Sequence, residues 1–65
     1  MLADDVEKVI SQNPGLTARE IAQLMFGIDG YHDRVGNTCH ALTETGRVKR
    51  RGRGGPGEPF TYHHK

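Results

Sequence analysis

Five of the nine Lys and Arg residues in this 65-residue chain fall within seven positions: Arg47, Lys49, Arg50, Arg51 and Arg53. Cations at this density do one kind of chemistry well. They neutralise phosphates and displace the counterions that surround a polyanion. Gly52, Gly54, Gly55 and Gly57 interleave with them and follow them, so the backbone carrying the charges can bend tightly and approach another surface closely. The formal net charge of +1 conceals this arrangement. Residues 1–46 carry seven acidic side chains against three basic ones, whereas residues 47–65 carry six basic and one acidic. Such an asymmetry marks a polyanion-binding end on an otherwise ordinary body. The bland alternative is a solvated hairpin whose charges only maintain solubility. The concentration of charge in a chain that is otherwise acidic weighs against it.

Other chemistries find little support. Cys39 is the only cysteine, which excludes an intramolecular disulfide, fits a reducing compartment and reads as a small core residue. Together with His32 and His40 it lacks the paired Cys or His spacing of a structural zinc site. His63-His64-Lys65 reads as a polar end. No Ser-His-Asp set, Walker-type loop or metal-hydrolase motif is present. The Gly-rich stretch opens no helix, so it is not a nucleotide-phosphate loop. A chain this short buries only roughly 60% of its unfolded surface. With 34% hydrophobic residues and no Trp, it has little from which to build a substrate cleft. We therefore expect a protein that is not an enzyme and needs no metal or cofactor. Asp4, Asp5 and Glu7 are unlike the positively charged start of a signal peptide, and no apolar run approaches the roughly 20 residues of a membrane span. The expected location is the cytoplasm, with no membrane partner.

The elements that must position the charges follow from periodicity and punctuation. Leu2, Val6, Val9 and Ile10 recur at helical spacing and predict a first helix over about 2–12, with acidic residues near its start where the helix dipole favours them. Asn13-Pro14-Gly15 stops it. Thr17 followed three residues later by Glu20 forms a capping box, and Leu16 with Ile21 the accompanying hydrophobic staple. A short second helix is expected over about 18–26, with Ile21, Leu24 and Met25 as its apolar face, until Gly27-Ile28-Asp29-Gly30 breaks it. The third helix is expected from Tyr31 or His32 to Thr45. Val35, Cys39 and Leu42 line its inner face, and Asp33, Arg34, Asn37, His40, Ala41 and Glu44 its outer one. Gly36 inside this helix costs about 1 kcal/mol relative to Ala and so suggests close packing or close approach of a partner. Gly46 is the natural end. Val48 then begins an extended run, Phe60-Thr61-Tyr62 is a second, and Gly52 through Pro59 forms the loop between them. The expected core is Leu2, Val6, Val9, Ile10, Ile21, Leu24, Val35, Cys39 and Leu42, closed by Val48, Phe60 and Tyr62.

Helix, helix, turn, helix, then a hairpin with a basic Gly-rich tip is the layout of the winged helix-turn-helix. The chain resembles that family over nearly its whole length, in the manner of small stand-alone bacterial or phage regulators. Leu16-Thr17-Ala18-Arg19-Glu20-Ile21-Ala22 is similar to the phrase that opens the positioning helix. Ala41-Leu42-Thr43-Glu44-Thr45-Gly46-Arg47-Val48 is similar to the phrase that ends a recognition helix and enters the wing. The resemblance implies double-stranded DNA binding by a small transcriptional regulator, with the third helix in the major groove and the wing beside it. The connection through Gly27 to Gly30 departs from the turn usual in the family, which leaves open where the third helix starts.

On that reading the roles separate. Arg47, Lys49, Arg50, Arg51 and Arg53 contact phosphates, and Arg53, with Gly on both sides, has the freedom to enter a narrow minor groove instead. Thr17, Arg19 and the amides at the start of the second helix hold a backbone phosphate. Arg34 and Asn37 are the best base readers, since Arg pairs bidentately with guanine and Asn with adenine; Thr38 and His40 are weaker ones. For Arg34 and Asn37 simple exposure is an equal alternative, because Asp33 and Glu44 share their face. Thr17 and Glu20 are better supported as a cap than as a ligand site.

The expected class is α+β: a three-helix bundle with a C-terminal β-hairpin wing, as one winged-helix domain over 1–62 and a polar tail over 63–65. A monomer or weak homodimer is expected. Two other readings stay open. One is a winged-helix module that docks a protein partner; the other is RNA binding through the RGG-like Arg50-Arg51-Gly52-Arg53-Gly54-Gly55.

Overall fold

In the computed structural model of the chain, which describes residues 1–27 and 31–65, three helices combine with a three-stranded antiparallel sheet. The order is α1 (Leu2–Gln12), β1 (Leu16–Thr17), α2 (Ala18–Phe26), α3 (His32–Glu44), β2 (Val48–Arg51) and β3 (Thr61–His64). The three helices lie within a residue or so of their expected bounds. Ile28, Asp29 and Gly30, the expected break between the second and third helices, lie outside the described residues.

Local chemistry sets the helix ends. Asp4 and Asp5 lie in the first turn of α1, facing its positive end. The capping box of α2 is complete: Thr17 Oγ1 accepts from the Glu20 N–H at 3.2 Å, and the Thr17 N–H donates to Glu20 Oε1 at 2.9 Å. Gly27, at φ 75, ends α2 in the left-handed region. Beyond α3 the Gly46 N–H donates to the Thr43 carbonyl at 3.1 Å and the Arg47 N–H to the Leu42 carbonyl at 2.9 Å. With Gly46 at φ 76 this is a Schellman ending, which only glycine adopts without a Cβ penalty. It turns the chain from α3 straight into β2.

The core joins all three helices to the sheet. Val6 and Ile10 of α1, Ile21 and Ala22 of α2, Val35, Cys39 and Leu42 of α3, Val48 and Tyr62 are buried. Leu2, Val9, Leu16, Met25 and Phe60 pack around them. Burial pushes the Cys39 thiol up to about 12 and raises the Tyr62 phenol, the latter opposed by Arg50.

Four details differ from expectation. Leu24, expected in the core, is 57% exposed, and the small Ala22 is fully buried instead. The sheet has a third strand: Leu16 pairs with Tyr62 and Thr17 with Thr61, on the edge away from β2. The Gly15 N–H extends that pairing by donating to the Tyr62 carbonyl at 2.8 Å. The polar tail expected from residue 63 is strand through His64, paired with Val48. Gly36 is not tightly enclosed, since a Cβ there would meet Ala18 Cβ at an ordinary 3.8 Å.

Candidate nucleic-acid interface

The hairpin is built so that alternate residues face opposite ways. Val48, Lys49, Arg50 and Arg51 pair with His64, His63, Tyr62 and Thr61 respectively. Directly paired residues share a face, and the buried Val48 and Tyr62 identify the inner one. Arg50 therefore starts on the inner face, whereas Lys49 and Arg51 start on the outer face with His63, Thr61 and Thr17.

The tip is held closed by backbone bonds and one aromatic ring. The Gly54 N–H donates to the Glu58 carbonyl at 3.0 Å and the Glu58 N–H to the Gly55 carbonyl at 3.1 Å. Gly52 and Gly54 adopt φ 97 and 79. A Cβ on Gly54 would lie 2.4 Å from the Phe60 ring, so the ring packs where only glycine leaves room. The Arg50 guanidinium lies over the Phe60 ring, 4.0 Å from its centroid, a distance at which a cation is attracted to an aromatic face.

Arg50 also links the hairpin to α3. One of its guanidinium nitrogens lies 3.3 Å from His40 Nδ1, and His40 Nε2 lies 3.3 Å from Glu44 Oε1, one turn further on. The chain Glu44–His40–Arg50–Phe60 brings the outer face of α3 and the base of the hairpin side by side. Asn37 precedes His40 on that face, and both are exposed.

The remaining candidates have distinct surroundings. Arg47 is turned toward α1: it donates to Asp4 Oδ1 at 3.0 Å and to Glu7. The hydrogen bond to Asp4, followed by the charge of Glu7, raises its guanidinium pKa further. Arg53 lies 3.8 Å from Glu58 and is almost fully exposed. Lys49 and Arg51 are exposed and form no ion pair among the described residues. Arg34 is exposed on α3, beside Asp33. The Thr38 hydroxyl donates to the Arg34 carbonyl at 3.0 Å. Thr17 Oγ1 is engaged as the cap, and Arg19 is exposed at the start of α2. The structure thus gathers Arg50, His40 and Glu44 together and leaves Thr17 and Arg19 at the β1–α2 junction. Arg47 is drawn to the opposite, acidic helix.

Phe60 and Glu58 are contributors that reading the sequence for cations passes over. Phe60 carries a weak signal, as the aromatic residue that resumes strand alternation after Pro59. Glu58 is the single acid in residues 47–65. Among the described residues no helix is long and apolar enough to cross a membrane, and no three His, Cys, Asp or Glu side chains group as a metal site would require. Comparison with protein-family models, curated proteins and solved structures finds no match to this chain.

Proposed function

We propose that the chain is a winged helix-turn-helix domain that binds double-stranded DNA and acts as a small transcriptional regulator. Three helices with a hairpin following the third agree with that fold. The observation that carries the reading is the contact of Arg50 with His40 at 3.3 Å. It sets a hairpin bearing Lys49, Arg50, Arg51 and Arg53 directly beside the exposed Asn37 and His40 face of α3. Cations on an ordered hairpin supply affinity for phosphates, and the adjoining helix face supplies side chains that can read base edges. The ordered pairing of β2 with β3 favours a wing over a disordered RGG-type segment.

The test is a chemical-shift titration with duplex DNA at two salt concentrations, using the parent and a variant with Lys49, Arg50, Arg51 and Arg53 all replaced by Gln. The parent should bind more weakly at the higher salt, because each neutralised phosphate contributes a counterion-release term. The variant should bind all duplexes weakly and lose most of that salt dependence. Equal binding by the two proteins would remove DNA from the account and favour the protein-docking reading.

A further inference from the structure

We propose that, within the hairpin that lies beside α3, the outer-face pair Lys49 and Arg51 supplies the phosphate grip, each taking one of two successive phosphates of one DNA strand. This rests on the DNA-binding reading above and assigns the surface that carries its electrostatic part.

Three observations converge on that face. The first is the state of the cations. Arg47 is held by Asp4 and Glu7, Arg50 lies between His40 and the Phe60 ring, and Arg53 has Glu58 nearby. Among the described residues Lys49 and Arg51 alone in the cluster have no such neighbour, and both are exposed. A cation already matched to a carboxylate releases fewer counterions on meeting a phosphate, because it must first exchange one anion for another.

The second observation is what surrounds them. The residues paired with Lys49 and Arg51 across the sheet are His63 and Thr61, and Thr17 pairs with Thr61 beyond. None is acidic. Thr61 Oγ1 and His63 Nε2 lie 3.0 Å apart, so the centre of the face is a tied pair without a carboxylate. Glu20, in the first turn of α2 just beyond β1, is turned to the Thr17 N–H. A polyanion approaching the outer face meets no repelling carboxylate from the strands. On α3 it meets Asp33 and Glu44.

The third observation is spacing. Residues two apart on an antiparallel strand repeat at about 6.8 Å, comparable to the separation of successive phosphates along one nucleic-acid strand. Lys49 and Arg51 are held at that repeat by the β2–β3 ladder, so little ordering of the backbone is left to occur on binding.

Two double variants test the assignment at equal charge: Lys49→Gln with Arg51→Gln, and Arg50→Gln with Arg53→Gln. Each removes two positive charges, so long-range effects cancel in the comparison. Duplex affinity is measured by fluorescence anisotropy across a salt series, with thermal melts to check folding. At about 0.9 per neutralised phosphate, the outer-face variant should flatten the slope of log affinity against log salt by about two. The inner-edge variant should flatten it by less than about half that. If loss of the Phe60 stack unfolds the second variant, Arg34→Gln with Arg53→Gln takes its place with the same expected result, since Arg34 is exposed on α3. Equal flattening by both pairs, or greater flattening by the inner-edge pair, overturns the assignment while leaving DNA binding intact. A parent with no salt-dependent duplex affinity overturns both the assignment and the reading beneath it.

Discussion

Gly54→Ala puts the wing's construction to a quantitative test. Gly54 has φ 79, and an L-residue in that region costs roughly 1–2 kcal/mol. The added methyl would also lie 2.4 and 2.5 Å from two atoms of the Phe60 ring. The ring cannot retreat without leaving the Arg50 guanidinium stacked 4.0 Å from its centroid. Forcing a methyl into occupied space typically costs about 1–3 kcal/mol. The two contributions together give roughly 2–5 kcal/mol, a large share of the stability of a domain this small. The assay is urea unfolding of four proteins: parent, Gly54→Ala, Phe60→Ala and the double variant. Removing the ring abolishes the steric part and leaves the backbone part, so the two substitutions should couple by about 1–3 kcal/mol. Gly57→Ala is the control, since nothing lies within 4 Å of its Cβ position and its φ is not positive. Should the tip open locally before the domain unfolds, amide exchange at Gly54 and Glu58, whose N–H groups close the tip, would report the same loss. Gly54→Ala costing as much without Phe60 as with it would refute the steric argument. Behaviour like that of Gly57→Ala would refute the whole account of the tip.

Two further substitutions follow from the helices. Gly36→Ala should raise stability by roughly 0.4–1 kcal/mol in the same urea assay, because its Cβ meets Ala18 at an ordinary 3.8 Å in the middle of α3; a loss of stability would mean that α2 and α3 leave no room here for a methyl. The Cys39 thiol has its pKa raised from 9.0 to about 12 by burial, so the unfolded chain loses this proton at lower pH than the folded one. Its contribution is therefore complete below pH 9 and should be lost as pH rises toward 12. Cys39→Ala should show a smaller alkaline decline in melting temperature, and an equal decline in both proteins would assign it to other groups.

Much of this architecture was legible because its signals are local. Thr17 and Glu20 define the start of α2 within four residues, and Gly46 ends α3 through two adjacent backbone bonds. The strand β1 was not legible. Two residues carry no periodicity, and Leu16 and Thr17 are extended because β3 offers them partners some 45 positions later in the chain. Leu24 misled for a related reason. It continues the apolar spacing of Ile21 and Met25, but α2 meets its neighbours along a face centred on Ile21 and Ala22, and a stripe is wider than the contact it serves. In the candidate site the cations themselves were legible, but their partners were not. Arg47 lies 43 residues from Asp4 and 40 from Glu7, and no local pattern announces such a pairing.

That pairing changes what the charge asymmetry means. A basic hairpin on an acidic body suggests a surface divided into two signs, with all five clustered cations on offer to a partner. Folding uses part of the contrast internally. Asp4, placed in the first turn of α1 where the helix dipole favours an anion, also accepts from Arg47. Arg47 is the residue whose N–H completes the Schellman ending of α3, so the same residue ties the hairpin's entry to α3 through its backbone and to α1 through its side chain. Exposed ion pairs contribute little to stability, so the consequence is one of direction: β2 leaves the helical body at a fixed angle. Arg50 lies between His40 and Phe60 and so ties the middle of β2 to α3. Two of the five cations thus orient the hairpin, and the alternation of the strand delivers Lys49 and Arg51 to the opposite face. A count of basic residues overstates the charge available to a polyanion, and the sheet register says which part of it is left.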